Sequence, residues 1–378
     1  SFQSIARGLQ RRPGGEMDMQ AFVEQLAMHL TSWQATTFLI GEYPEGALQD
    51  NAISTIADGI IWLTQRTDDN AVVRKIQIMK MRGQAPLPGV HTFRTTADGI
   101  RVFPRTFSPP QDPERPVEGE RMSTGVPGLD ALMGGGIPAG NSLLITGPTG
   151  AGKSVLAAQF IAEGGRHGEP GLIVLFEQVH AKYLRWAANL GMDMEELARE
   201  GHIHIMPLQR TDLAPDEAIQ LIWQEVQRHQ IRRMVIDSLT GFEVTVTPSH
   251  HDELRQAMYR LVEGLAAIGV TVVVTLETVE VSTDLLMSNR LISFLADNII
   301  VQRYVEIDGR LERVLTVVKM RNSAHSPEFR RFEVTGQGLV VGDRLEGYEG
   351  ISTGVATRRG DLRGAPGAQR GGQAAPAE

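Results

Sequence analysis

The sequence predicts an α/β fold, a mostly parallel sheet with helices on both faces, and three observations predict it. Apolar runs of strand length alternate with helix-period segments from residue 142 to 277, the order that parallel strands joined by crossover helices produce. The stretch GPTGAGKS, Gly147 to Ser154, stands between the apolar run Ser142 to Thr146 and the helical segment Val155 to Ala162. Segments of the first hundred or so residues also recur late in the chain at one constant offset. The expected architecture is therefore one complete domain plus the back half of a preceding copy.

Taken in order, residues 16 to 30 carry Met19, Phe22, Val23, Leu26 and Leu30 at helical spacing and predict an amphipathic helix. Thr36 to Tyr43 (TTFLIGEY) reads as a buried strand, and IIWLTQR with VVRKIQIMKM reads as a hairpin split by the polar turn Thr67 to Asn70. A Pro-rich, charged linker at 107–120 separates a unit at 1–106 from a complete domain at 121–350. Within that domain the strand to Thr146 is followed by the glycine-rich loop and its helix, then a strand Gly171 to Glu177 and helices near 181 to 200. A strand His202 to Leu208, a helix Pro215 to His229, a strand Arg233 to Asp237, a helix 252–268 and a strand Val270 to Glu277 complete the alternation. IIVQRYVEI and LERVLTVVKM, turned at Asp308-Gly309, form a closing hairpin, since Asp-Gly suits the left-handed turn that twisted strands need. The Gly-, Pro-, Arg- and Ala-rich tail at 351–378 is expected to be disordered.

The repeat is arithmetic. ADGII at Ala57 recurs as ADNII at Ala296, KMR at Lys80 recurs at Lys319, and DGI at Asp98 aligns with QGL at Gln337; 296 − 57, 319 − 80 and 337 − 98 all equal 239. Carried back, the offset puts a first-copy phosphate loop before Ser1, so residues 1–106 are expected to be the rear of a domain whose P-loop part is missing.

Composition removes several function classes. Thirty-seven basic against 45 acidic residues give a net charge of −8 without a basic block before the tail, which disfavours nucleic acid. The absence of cysteine removes disulfides, thiol catalysis and thiolate metal sites. No apolar run reaches the ~18 residues of a membrane span, and a cytoplasmic location is the expectation.

GPTGAGKS matches the P-loop pattern with its strand before and helix after, against the alternative of a glycine-rich turn with a chance Lys-Ser. A triphosphate needs converging backbone N–H groups, which Gly147, Gly150 and Gly152 allow by removing Cβ atoms, and a helix N-terminus adds positive potential. The loop as a whole, Gly147, Pro148, Thr149, Gly150, Ala151, Gly152, Lys153, Ser154 and Val155, is the expected ATP cradle. Lys153 supplies charge to the β and γ oxygens, and the Ser154 hydroxyl is placed to ligate Mg²⁺. Asp237, at the end of an apolar strand, reads as the acid that holds the Mg²⁺ shell or as a solvated strand-end acid. Glu177 reads as a carboxylate near the metal that orients water or deprotonates a hydroxyl, or as a plain surface acid. Lys319 and Arg321 alternate at a strand end, either as solvated cations or, given Lys80 and Arg82 in the other copy, as a pair serving a neighbouring subunit's γ-phosphate. His202, His204, His250 and His251 lack a further ligand set and read as ordinary strand and loop residues.

With these residues in hand the chain resembles the KaiC family, a branch of the RecA-like P-loop ATPases, over about residues 1–350. The specific segments are RMSTGVPGLDALMGGGIPAG before the P-loop, IDSLTG, NLGMDMEEL, RYVEI and KMRNSAH. The resemblance implies a RecA-like fold, tandem domains, homo-oligomeric rings of hexamer type with ATP and Mg²⁺ between subunits, and an unidentified signalling partner. It implies that Glu177 is the catalytic glutamate and that Arg313, Lys319, Met320, Arg321, Ser323 and His325 reach a neighbour's ATP. There are three departures from the family: Gln178 stands for a second glutamate, Leu190 for an adenine-packing aromatic residue, and Ser293-Phe294 for adjacent Ser and Thr phosphate acceptors. Ser293 alone is then a candidate for autophosphorylation.

Three functions follow. The first is a ring-forming ATPase that hydrolyses ATP at subunit interfaces and phosphorylates its own Ser293. The second is a DNA-dependent ATPase of the RecA branch, against which the loops Gly241 to Asp252 and Thr278 to Asn289 carry no Lys or Arg. The third is a non-catalytic, nucleotide-gated module, against which Lys153, Ser154, Glu177 and Asp237 are all retained.

Overall fold

The computed structural model describes residues 15–33, 36–43, 56–68, 71–105, 119–209, 213–246, 251–278, 296–354 and 356–358. Ser293, Phe294, His250, the loop segment 279–290 and most of the 107–120 linker and of the tail lie outside them. The chain divides into two compact units, Ser1–Arg66 with Val73–Arg105, and Thr67–Val72 with Thr106–Glu378.

In the first unit, helix α1 (Gly15–Ser32) precedes a four-stranded sheet in the order β1 (Gly59–Asp68), β2 (Ala71–Met81), β3 (His91–Thr96) and β4 (Gly99–Phe103). The strand expected at Thr36 to Tyr43 does not form: the segment is irregular, with Phe38 77% and Ile40 78% exposed. Apolar side chains settle into a strand only where another segment pairs with the backbone, and among the described residues no strand pairs with this segment.

The second unit is built on a nine-stranded sheet. Its elements run β5 (Arg121–Met122), α2 (Pro127–Leu132), β6 (Ile137–Pro138), β7 (Ser142–Gly147), α3 (Lys153–Arg166), β8 (Gly171–Leu175), α4 (His180–Ala188), α5 (Met194–Arg199) and β9 (Ile203–Pro207). They continue with α6 (Pro215–His229), β10 (Arg233–Asp237), α7 (Leu239–Thr245), α8 (His251–Ala267), β11 (Thr271–Glu277), β12 (Asn298–Ile307), β13 (Arg310–Met320), β14 (Arg330–Thr335) and β15 (Gly338–Arg344). The order is β15-β14-β13-β12-β7-β11-β10-β8-β9, parallel from β12 to β9 and antiparallel from β12 to β15. One face packs Leu156, Phe160 and Ile161 of α3 and Tyr183 of α4 over Leu143, Ile145 and Val235. The other packs Ile222, Phe242 and Leu261 of α6, α7 and α8 over Leu144, Leu172 and Met234. This two-faced burial is why the parallel strands are apolar throughout; each such side chain contributes roughly 2–3 kcal/mol.

The closing hairpin turns at Asp308 (φ 50°) and Gly309 (φ 74°), both left-handed as the Asp-Gly pair requires. The 239-residue offset holds for whole strands. β1, β2, β3 and β4 begin at 59, 71, 91 and 99, and adding 239 gives 298, 310, 330 and 338, the first residues of β12 to β15. The counterparts differ in burial. Ile61 is 49% exposed, while Ile300, its equivalent at 61 + 239, is fully buried where β12 lies against β7.

Candidate active site

Parallel strands deliver their C-terminal ends to one edge of the sheet, and the chemistry collects there. The P-loop follows β7, Asp237 is the last residue of β10, Glu277 is the last residue of β11, and Glu177 stands two residues beyond β8. The sequence suggested that Glu177 ends its strand, and the structure corrects this. The strand ends at Leu175, and Phe176 turns inward to stack on Phe242 of α7 with ring centroids 4.3 Å apart. That anchor leaves Glu177 exposed at the rim.

The P-loop is held from behind by β12. A Cβ on Gly147 would lie 2.1 Å from the Gln302 carbonyl oxygen, so only glycine lets the loop leave β7 at this point. The Tyr304 hydroxyl donates to the Gly150 carbonyl at 2.8 Å, Ala151 N donates to Pro148 O at 3.2 Å, and Ala151 and Val155 are buried. Lys153 opens α3 with Gly152 as its N-cap, and its Nζ donates to the carbonyls of Gly147 and Pro148, both at 2.8 Å. Burial lowers the Lys153 pKa from its ordinary 10.5, opposed by the charges of Glu277, Asp237 and Glu177.

The structure brings Ser154 and Asp237 together. Asp237 Oδ1 accepts from Ser154 Oγ at 3.1 Å and from Thr275 Oγ1 at 2.6 Å. Burial raises the Asp237 pKa above 3.8, while the Thr275 and Ser154 hydrogen bonds pull it down. A hydroxyl and a carboxylate in contact beside a phosphate cradle are the hard oxygen donors that Mg²⁺ takes. Glu177 Oε1 accepts from Ser238 Oγ at 2.9 Å, and Ser238 Oγ accepts from Gly241 N at 2.9 Å to cap α7. The carboxylate lies over bare backbone, since a Cβ on Gly241 would fall 2.6 Å from Glu177 Cγ.

Glu277, Gln302 and Tyr304, which sequence reasoning passed over, complete this end around the expected loop residues. Thr149 Oγ1 donates to Glu277 Oε1, Glu277 is the register partner of Gly147, and Tyr304 and Gln302 brace the loop. The one available signal was a third carboxylate closing an apolar strand, which Glu277 shares with Asp237.

The other cations lie elsewhere. Lys319 pairs with Ile299, which lies beside Leu144, toward the end of β7 away from the P-loop. Its Nζ donates to Ala296 O at 2.7 Å. Arg321 is not the alternate strand residue that was expected. β13 ends at Met320, and Arg321 lies in the following turn, its N donating to Asp297 O at 3.0 Å and its Nη1 reaching Asp297 Oδ1 at 3.4 Å. The first unit repeats both contacts: Arg82 N to Asp58 O at 2.8 Å and Arg82 Nη1 to Asp58 Oδ1 at 3.2 Å. Met320 is buried in the α3-side core, Ser323 Oγ accepts from Arg121, and His325 is half-buried. Arg313 is not with them. It pairs with Tyr304, its guanidinium 5.6 Å from that ring, six residues and roughly 20 Å along β13 from Lys319. Gln178 and Leu190 are half-buried, Leu190 against the α3-side core. His204 stacks on His229, ring centroids 3.6 Å apart, and His202 lies 3.9 Å from Glu200. Among the described residues no cluster of three or more metal-ligating side chains forms, and no helix is long and apolar enough to cross a membrane.

A family model described as the KaiC ATPase matches residues 8–106 and 122–346. The chain is 30% identical over 303 residues to the circadian clock oscillator protein KaiC of Picosynechococcus sp., covering 80% of this chain and 58% of that relative. It is 29% identical over 303 residues to the circadian clock oscillator protein KaiC 1 of Synechocystis sp., covering 80% and 57%. It is 27% identical over 388 aligned positions to the circadian clock oscillator protein KaiC of Thermosynechococcus vestitus, covering 91% and 73%. The chain thus spans less than two thirds of the first two relatives.

Proposed function

The chain belongs to the KaiC ATPase family, and on that premise we propose that residues 121–350 form an ATP-hydrolysing domain that works in a self-assembled ring of hexamer type, with ATP between neighbouring copies. The observation that carries this reading is the convergence of Lys153, Ser154, Asp237 and Glu177 on the C-terminal ends of β7, β10 and β8. Triphosphate oxygens replace the Gly147 and Pro148 carbonyls as partners of Lys153, and the N–H groups at the start of α3 face the same charge. Ser154 and Asp237 would hold Mg²⁺, which would supply charge neutralisation to the phosphates. Ser238 occupies Oε1 of Glu177, so Oε2 takes the proton of the attacking water. The water oxygen bonds the γ phosphorus as the bond to the β-bridging oxygen breaks, and that oxygen leaves with ADP. Lys319 and Arg321 serve the γ-phosphate of a neighbouring copy, a role supported by their placement away from their own P-loop.

Residues 1–106 are, in this reading, the back half of a first domain of the same kind. The equal strand offsets and the exposed Ile61 support it, with β1 accepting a P-loop strand as β12 accepts β7.

Incubating the protein with Mg²⁺ and γ-labelled ATP tests the function. Free labelled phosphate from wild type and none from Lys153→Ala is the expected result, because the variant loses the charge that meets the phosphates. No turnover by assembled wild type overturns the reading. The same assay decides the self-phosphorylation of Ser293: label retained on that serine supports it, and free phosphate alone removes it.

A further inference from the structure

Glu277 sits at the mouth of the P-loop, and no step above uses it. Its main chain is pinned. Glu277 N donates to Thr240 Oγ1 of α7 at 3.1 Å, and the next residue, Thr278, donates its N–H to Gly147 O at 3.1 Å. Its carboxylate also has a partner in the loop. Asp237 is held by Ser154 and Thr275, and Glu177 by Ser238, while Glu277 Oε1 is held by Thr149, in the middle of the P-loop. Glu277 is also the first of the three carboxylates whose charges act on Lys153.

Phosphates entering the loop bring negative charge to the groups Glu277 already engages, the Thr149 hydroxyl and the Lys153 ammonium. Like charges repel most strongly where water is partly excluded, and Lys153 is buried and Glu277 half-buried. A γ-phosphate adds charge that a diphosphate lacks. We propose that Glu277 is a nucleotide-state sensor, docked on Thr149 when the loop is empty and expelled by the γ-phosphate of ATP. This rests on the ATP-binding reading of the loop. Because Thr240 and Gly147 pin the backbone, the change is a rotation of the Glu277 side chain, not a shift of β11. Its consequence is selective: the carboxylate weakens ATP more than ADP.

The test is equilibrium binding of Mg-ATP and Mg-ADP to the full chain, wild type against Glu277→Gln and Glu277→Ala. Removing one half-buried charge is expected to tighten ATP about tenfold and ADP about two- to threefold. The ATP gain shrinks as salt rises, because the site is partly open to screening. Equal gains for both nucleotides, no gain, or a gain confined to Glu277→Gln while Glu277→Ala stays like wild type overturns the proposal. The underlying reading fails separately: wild type that binds neither nucleotide, or Lys153→Ala that binds as tightly as wild type, removes the ATP site itself.

Discussion

Replacing Gly147 with alanine tests the geometry of the loop at its most constrained atom. The added Cβ lies 2.1 Å from the Gln302 carbonyl oxygen and 3.0 Å from its carbon. Cβ contacts with backbone stay above about 3.0 Å, so β7 and β12 must part by at least 3.0 − 2.1 = 0.9 Å where the P-loop begins. Neither side yields easily. Val301 is in register with Thr146, and Gln302 with Leu315 on the next strand. Overpacking of this kind costs about 1–3 kcal/mol, or roughly 2–10 °C of melting temperature for a unit of this size. The functional loss is larger, because a displacement of about 1 Å at a catalytic loop lowers turnover about a hundredfold. Thermal unfolding and phosphate release are the assays, with Gly336→Ala as control. An alanine at Gly336 meets nothing within 4 Å and should stay within about 0.5 kcal/mol of wild type. A Gly147→Ala protein with wild-type melting and wild-type turnover would refute the idea that β12 sets the shape of the loop.

Ser238→Ala removes the donor to Glu177 Oε1 and the cap of α7, and should lower kcat about tenfold while ATP affinity stays within twofold; an unchanged kcat would leave Glu177 without this orienting contact. Burial raises the Asp237 carboxyl pKa, so the folded protein holds that proton over a pH window in which the unfolded chain has lost it. Stability contributed by this group therefore falls as pH rises above about 3.8 and through the raised folded value. Asp237→Asn, which still accepts from Ser154 and Thr275, should raise the melting temperature of the nucleotide-free protein at pH 7 while abolishing phosphate release; a lowered melting temperature counts against it. Mixing inactive Lys319→Ala subunits with inactive Glu177→Ala subunits should restore part of the turnover, since some interfaces then carry both wild-type residues. Mixed rings that assemble and stay inactive would place Lys319 outside the neighbour's site.

The sequence by itself determined whatever depends on neighbours along the chain. The P-loop is legible because a phosphate cradle, a charged side chain and a helix start must fit within eight consecutive residues, Gly147 to Ser154. The hairpin turn at Asp308-Gly309 is legible for the same reason, and the repeat shows the β12 to β15 strands twice over at an offset of 239. Asp237 was readable as a strand-closing acid because its strand is apolar to the last residue before it.

Only the tertiary structure decided which of several carboxylates and cations share a space. Thr149 and Glu277 are 128 residues apart and meet because β11 lies beside β7. The register of β12 and β13 separates Lys319 from its own P-loop and sets Arg313 apart from it, although both belong to one strand. Residues 36–43 have the composition of a strand without forming one, because a strand is completed by hydrogen bonds to another segment, and no composition supplies the partner. Local pattern fixes the parts of this molecule, and strand order in the sheet fixes which of them can act together.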